Sequence, residues 1–339
     1  MTRTITFLPS GRTGEIEAHE TVLDACLRSG LSPNYGCSNG NCGDCRARLV
    51  SGEVEKVKHH DYALTAAEKA NGTFLMCAHR ALSDIEIEAD VTQSPEDIPR
   101  QVIETKVKEI EHLDPQVIKL HLQTPRSQRL RFVAGQSVTL TIGDEVQTSI
   151  AVASCPCDDR NLHFHIPLIP GNAFSEAVFS GDLAPRASVT LSGPDRGEFY
   201  LDVQTERDSI ILSWHTGFAP VISLMEHIMS LEIEKEVDLY RFSPTPDHQY
   251  LSNLCRSWAD AYDNIRAELM PDRLTLLSDV ATCEAAFAAI AARYADMPER
   301  NVYVSGPPAF VEAARRVFGR QDQGVGQFRA NTEWVGIFD

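Results

Sequence analysis

Four thiols carry the first chemical signal in this 339-residue chain. Cys37, Cys42 and Cys45 follow a C-x4-C-x2-C spacing within Tyr35-Gly36-Cys37-Ser38-Asn39-Gly40-Asn41-Cys42-Gly43-Asp44-Cys45-Arg46, and Cys77 follows after a longer gap. Thiolates are soft ligands that select zinc or iron–sulfur centres. Zinc sites usually pair short C-x2–4-C units or mix Cys with His, and zinc stands as the competing reading. Three cysteines on one loop at this spacing with a distant fourth is instead the pattern that holds a [2Fe–2S] cluster, which carries one electron at a time. Gly36, Gly40 and Gly43 take φ > 0 or admit close approach without a Cβ clash, so successive backbone N–H groups can turn inward toward the sulfurs.

The elements that must position this loop are legible around it. Thr2–Phe7 and Glu15–Ala18 read as paired strands across the Pro9-Ser10-Gly11 turn, and Thr21–Ser29 as a helix with Val22, Leu23, Cys26 and Leu27 on one side. Gly30 is a natural C′ residue for that helix. Arg46–Val50 alternates like a strand, Leu64–Lys69 starts a short helix, and Asp84–Glu88 alternates strictly. Residues 1–92 therefore form one α+β unit, which resembles the β-grasp fold of plant-type [2Fe–2S] ferredoxin domains. The polar, proline-bearing stretch that follows places a linker at 93–101.

From 102 to 204 the chain is made of short strands, at Arg100–Glu111, Val117–Thr124, Ser137–Ile142, Thr148–Ser154, Leu162–Ile169 and Ser188–Ser192, with one helix at Asn172–Phe179. That is the pattern of an all-β six-stranded barrel. From 205 to 339 strands alternate with helices: Ile210–Leu212, Val237–Tyr240, Arg273–Leu277 and Asn301–Val304 against Ala219–Leu231, Gln249–Asp260, Cys283–Tyr294 and Pro308–Phe318. Such alternation predicts an α/β parallel sheet covered on both faces, a nucleotide-binding type of domain.

Composition narrows the function classes. With 43% hydrophobic residues the chain reads as a soluble globular protein, and its formal charge of −17 opposes direct nucleic-acid binding. No run approaches about 18 apolar residues and the N-terminus lacks a secretory pattern, so no membrane contact and a cytoplasmic location are expected. Cys26, Cys155, Cys157, Cys255 and Cys283 show no disulfide framework, as suits a reducing compartment. Cys155 and Cys157 are a possible redox switch, but Asp158 and Asp159 make a poor setting for reactive thiols and plain thiols are the expectation. His59 and His60 read as exposed loop residues, and His215 as a solvated loop histidine with a proton donor as its alternative.

The order of pieces resembles the NADH-dependent reductases of bacterial oxygenase systems and the deoxysugar-dehydratase reductases, which join a plant-type [2Fe–2S] domain to an FAD- and NAD-binding reductase module. The landmarks are Phe132–Gln136, Gly171–Ser175, Gly193–Phe199, Thr216–Pro220 and Ser305–Pro308. The resemblance implies a cluster potential near about −400 mV. It also implies a flavin strand, Arg-x-Tyr-Ser, whose positions hold Thr148, Ser149, Ile150 and Ala151 here. His165 stands at the family's strand histidine, with Pro167 where a second Arg is usual; Ser175 is at the helix that meets phosphate, and Trp334, after Glu333, is where an aromatic covers the flavin. An Arg fork on phosphate is not easily replaced. On the nicotinamide side the glycine loop reads Trp214-His215-Thr216-Gly217, with the indole expected to fill ligand space. The thiol-bearing loop reads Ser305-Gly306-Pro307, and a usual glycine is Phe242.

Two functions follow. In the first, the FAD and NADH sites are eroded, and the chain is a one-electron [2Fe–2S] carrier, a redox-sensing regulator or a docking subunit. In the second, it is a working NADH-dependent flavin/iron–sulfur reductase supplying an oxygenase or ferredoxin. FAD is then held by backbone contacts, Ser175 and Trp334, and NADH by Thr216, Gly217 and Ser305–Pro307. A retained fold with altered site residues favours the first. Either way the partner is a protein, an oxygenase, ferredoxin, reductase or regulatory protein, and no residue has a catalytic role assigned to it.

Overall fold

The computed structural model describes residues 2–91, 95–203, 205–243, 249–271, 280–295, 297–319 and 326–332. Around the cysteine loop the elements are β1 (Arg3–Leu8), β2 (Thr13–Ile16), α1 (Val22–Arg28), β3 (Arg46–Ser51), β4 (Val54–Lys56), α2 (Ala66–Ala70), β5 (Thr73–Leu75), β6 (His79–Ala81) and β7 (Ile85–Glu88). Five of the strands form one sheet in the order β2-β1-β7-β3-β5, with β1 parallel to β7 and antiparallel to β2, while β4 and β6 pair separately. Helix α1 begins where the Thr21 hydroxyl accepts the Asp24 N–H and stops before Gly30, whose φ of +69° closes the turn. It buries Val22, Leu23 and Cys26 against Ile5, Phe7, Ile85 and Ile87.

The next unit contains β8 (Gln101–Asp114), β9 (Val117–Gln123), β10 (Ser137–Ile142), β11 (Val146–Ala151), β12 (Asn161–Pro167), α3 (Ala173–Phe179) and β13 (Ser188–Gly193). Its sheet runs β11-β10-β13-β8-β9-β12, antiparallel throughout. It curls so far that the chain leaving β11 reaches the opposite edge, where the Ala153 N–H donates to the His163 carbonyl at 2.8 Å. Leu120, Leu140, Phe164 and Leu191 fill the interior.

In the last unit β14 (Ser209–Trp214), α4 (Phe218–Ser230), β15 (Val237–Ser243), α5 (Ser252–Ala261), β16 (Ile265–Pro271), α6 (Val280–Ala291), β17 (Asn301–Ser305), α7 (Pro308–Phe318) and β18 (Phe328–Asn331) follow. The sheet β16-β15-β14-β17-β18 is all parallel. Its two faces are covered by α4 with α5 and by α6 with α7, which is why β14, β15 and β17 are buried along their whole length. The strand expected at Arg273–Leu277 lies outside the described residues, and Ile265–Pro271 takes the place beside β15. Its apolar run is interrupted because it is an edge strand: Arg266 pairs with Asp238 at 2.7 Å and Glu268 with Arg293.

Three hydrogen bonds form the seam that sets the cluster unit on the barrel. The Arg129 N–H donates to the Gly36 carbonyl at 2.8 Å, and the Arg131 guanidinium donates to the Asn34 side chain at 2.7 Å. Asn39 adds a side-chain bond to the Arg126 carbonyl at 3.2 Å. The cysteine loop is thus fastened to the 126–131 segment on either side of Cys37. Among the described residues no helix is long and apolar enough to cross a membrane.

Candidate functional site

The four thiols fall into two pairs in the structure, and among the described residues no three of them converge on a single metal position. Cys45 and Cys77 meet at 3.2 Å between sulfurs, and Cys37 is linked to Cys42 by a side-chain hydrogen bond, so the set presents as two pairs. Two thiolates on each of two irons is the donor set a [2Fe–2S] centre needs. The loop's N–H groups turn inward as its glycines predict: Asn41 and Cys42 both donate to the Cys37 sulfur at 3.3 Å, and Asp44 donates to the Cys42 sulfur at 3.4 Å. Cys45 is held down to about 7, chiefly by its hydrogen bond with Cys77, whose own thiol is driven up by the same shared proton. Burial pushes Cys42 up to about 11, so it and Cys77 both depend on a cation for ionisation.

The glycines are required for different reasons. Gly40 and Gly43 have φ of +85° and +82°, and a Cβ at Gly43 would overlap the Tyr62 ring. Gly36 has an ordinary backbone but sits hard against the Asp44 carboxylate and the Cys42 sulfur. His60 is half-buried, not simply exposed as expected, because its side chain packs under Gly40. Gly11, with φ of +70° and nothing within 4 Å, provides a control. Gly11→Ala should cost about 1 kcal/mol, whereas Gly43→Ala should add the ring overlap and cost roughly 3 kcal/mol or more, read as the difference in urea midpoint between the two variants.

A second site lies where the barrel meets the parallel sheet. A cavity of about 220 Å³ is walled by Thr148, Ser149, Ile150 and Ala151 from β11, by His165 and Pro167 from β12, and by Phe174 and Ser175 from α3. Thr216 and Gly217, ahead of α4, and Asn331, at the end of β18, close it from the other unit. The volume falls just under the roughly 300–1,000 Å³ of small-molecule sites. Its wall of Ile150, Ile166, Pro167 and Phe174 suits a flat, largely apolar ring, with hydroxyls and peptide groups at the rim. No Lys or Arg is among these lining residues, and the Ser175 hydroxyl is committed, donating to the Pro167 carbonyl at 2.7 Å and accepting the Ile169 N–H at 2.9 Å. The cavity therefore fits a flavin ring system but supplies no cation to a pyrophosphate.

His165 is buried, with its Nδ1 3.1 Å from the Tyr250 hydroxyl, and burial pushes its pKa down to about 3. A histidine kept neutral in the fold contributes stability that is complete above its unfolded value of about 6.5 and is lost as pH falls toward the folded one. Between pH 7.5 and 5 that loss is about 2 kcal/mol for this group. His165→Phe should flatten the stability difference between pH 7.5 and 5 by that amount in urea unfolding, and an unchanged difference would show the ring is not buried neutral.

The nicotinamide-loop residues pack on one another. A Cβ on Gly217 would strike the Ser305 carbonyl and the Gly306 nitrogen, so the Thr216–Gly217 turn lies directly on the Ser305–Gly306 backbone. The Ser305 hydroxyl accepts from the Asn331 side chain at 3.2 Å, and Pro307 is the N-cap of α7. Trp214 does not stand in ligand space as expected. It is fully buried with Phe242 and Phe310 in the core beneath α6 and α7, because the last residue of a central parallel strand points into that layer. His215 is likewise buried, not solvated, at φ +46° and edge-on to Tyr250. Glu333 and Trp334 lie outside the described residues. Asn331 was missed by sequence reasoning, since β18 is a short edge strand with no periodic signal. Cys155 and Cys157, expected as plain thiols, are joined in a disulfide.

Comparison with known proteins agrees with this architecture. Residues 5–82 match the family model of the 2Fe-2S iron–sulfur cluster binding domain, which implies that cluster in this chain. The chain is 29% identical over 314 residues to a CDP-6-deoxy-L-threo-D-glycero-4-hexulose-3-dehydrase reductase of Yersinia pestis, covering 91% of this chain and 92% of that one. It is 28% identical to the reductase component of a propane 2-monooxygenase from Gordonia sp. (strain TY-5), covering 92% of each. Among solved structures, a ferredoxin reductase of carbazole 1,9a-dioxygenase superposes over 98% of this chain and 99% of its own, with a TM-score of 0.55 and 22% identity. Phthalate dioxygenase reductase superposes over 70% of each chain, at a TM-score of 0.54 and 18% identity. The chain thus resembles ferredoxin-reductase-type electron-transfer proteins over nearly its full length.

Proposed function

We propose that this chain is an electron-transfer reductase component, taking electrons in pairs from NADH at the cavity and delivering them singly through its [2Fe–2S] cluster to an oxygenase or a ferredoxin. The observation that supports this most is the shared wall of the cavity. Barrel strands β11 and β12 and the Thr216–Gly217 turn of the parallel sheet line one space, and the cysteine loop is seated on the same barrel. The working division is a cluster domain at 1–92, a linker at 93–101, a barrel at 102–204 and an α/β domain at 205–339, with Cys37, Cys42, Cys45 and Cys77 as ligands. FAD bound in the cavity would supply the conversion of a hydride into single electrons, chemistry that thiolate-bound iron lacks. In this reading Ile150 and Phe174 provide the apolar face, the peptide groups of Thr148–Ala151 with His165 fix its orientation, and Ser175 shapes the wall through its bonds to Pro167 and Ile169. Trp334 is the aromatic that the resemblance assigns to the flavin's other face. Thr216, Gly217, Ser305, Gly306 and Pro307 orient the nicotinamide, with Gly217 close against the Ser305–Gly306 backbone. The acidic surface would steer a basic partner, and the cytoplasm is the compartment.

The absence of Lys and Arg among the lining residues supports a second reading, in which FAD and NADH are not used and the chain is a one-electron carrier, regulator or docking subunit. One measurement separates them. Protein purified anaerobically with added flavin should release about one FAD per chain on acid treatment and lose its flavin absorbance with NADH. A brown protein that releases no FAD and reduces no cytochrome c with NADH would leave only the second reading.

A further inference from the structure

The Cys155–Cys157 disulfide lies at the junction of all three units, and nothing in the electron route above uses it. It spans only two residues of sequence, so as a staple it constrains almost no chain. Its surroundings are more specific. Cys155 is buried, its N–H donates to the Glu226 carboxylate at 3.0 Å, and its sulfur lies 3.6 Å from His227 Nδ1 and 3.7 Å from the Ser230 hydroxyl, all three on α4. Cys157 is exposed. One sulfur is thus presented outward while the other is held by fixed polar groups. A small cavity of about 40 Å³ is lined by Cys157 together with Tyr35, at the start of the cysteine loop, and Arg131, in the segment on which that loop is seated.

The loop that carries the disulfide also carries the seam. Two residues beyond Cys157, Asp159 pairs with Arg129 at 3.4 Å and is hydrogen-bonded to the Tyr35 hydroxyl. Arg129 in turn holds the Gly36 carbonyl, next to Cys37. The S–S bond fixes Cys157 against Cys155, whose backbone is anchored on α4, and Asp159 inherits that position. Opening the bond frees Cys157 to move while Cys155 stays.

We propose that Cys155 and Cys157 form a second redox site, a disulfide that exchanges with external dithiols and whose two states seat the cluster unit differently on the barrel. The exchange balances without the cluster. A thiolate of the dithiol attacks the Cys157 sulfur, the Cys155–Cys157 bond breaks, and Cys155 leaves as a thiolate beside the Ser230 hydroxyl and His227 Nδ1 and takes a proton from water. The second thiol of the reagent then attacks its partner sulfur and releases Cys157. The dithiol ends as a disulfide, and the protein gains two electrons and two protons.

The test uses the full, cluster-loaded chain under argon in mixtures of reduced and oxidised dithiothreitol, followed by differential alkylation and peptide mass spectrometry. The Cys155–Cys157 peptide should pass from disulfide to dithiol as a two-electron couple, while buried Cys26, Cys255 and Cys283 stay unlabelled. Two free thiols at every ratio, or a disulfide that opens only on denaturation, would overturn the proposal. With oxidised glutathione, Cys155→Ser should form a mixed disulfide at least about tenfold faster than Cys157→Ser, because only Cys157 is exposed, and equal rates would count against the assignment of the attacked sulfur. Hydrogen exchange should be at least about threefold faster at residues 33–38 and 126–131 in the reduced state and in the double serine variant. Cycling of the disulfide with unchanged exchange there would overturn the coupling to the seam.

Discussion

Cys45→Ser is expected to bring bound iron from about two per chain to near zero, with loss of the visible cluster absorbance and of the reduced-state paramagnetic signal. The size of the effect follows from the donor geometry. Cys45 and Cys77 face each other at 3.2 Å and form one of two pairs, so a serine at 45 leaves one iron with a single thiolate. Hydroxyl oxygen is a harder and more weakly acidic donor than sulfur, and it sits in a loop whose N–H groups are already aimed at sulfur. Cys26→Ser is the matched control. Cys26 is buried on α1, far up in pKa through burial, and belongs to the apolar core of the same unit. That variant should keep its iron while losing about 1–3 kcal/mol of stability from a buried hydroxyl. If both variants kept two irons, the ligand assignment would be wrong.

The second large effect concerns flavin affinity. Restoring the family pattern by Thr148→Arg, Ile150→Tyr and Ala151→Ser together should tighten FAD binding by roughly 10–100-fold, the worth of one charge-assisted pair to phosphate of about 1.5–3 kcal/mol. The expectation rests on where these residues stand. Thr148, Ile150 and Ala151 all line the cavity, and none of the lining residues is Lys or Arg. Fluorescence quenching of added FAD, compared between the triple variant and the parent, reads the change directly. No change in affinity would mean that phosphate does not approach β11, and the cavity would then belong to another ligand. A parent protein already holding FAD tightly would show that peptide N–H groups alone suffice.

Much of this molecule was legible before any coordinates. The cysteine spacing, the glycines between them and the alternation at Ile85–Glu88 predicted a cluster loop on a small mixed sheet, and the 2Fe-2S family model covers that segment. The helix from Thr21 was readable from its apolar side and the glycine that ends it, and the helix expected at Pro308–Phe318 is present with those bounds. Edge elements were not: β4, β6 and β18 are three or four residues long, and β16 carries charges inside its apolar run. Short edge strands bury too little to imprint a period on the sequence.

Local sequence determined which residues could ligate iron, because ligand spacing and positive φ act over a few bonds. Only the tertiary structure decided what the altered motif residues do. Trp214, read as filling ligand space, and Phe242, read as replacing a family glycine, turn into the core because a parallel strand covered on both faces buries every side chain it carries. Cys155 and Cys157 come together as a disulfide, and their loop meets Arg129 and Tyr35 from distant parts of the chain, a juxtaposition set by how the barrel curls. Side-chain direction and contacts between distant segments depend on packing across layers, which no stretch of sequence contains by itself.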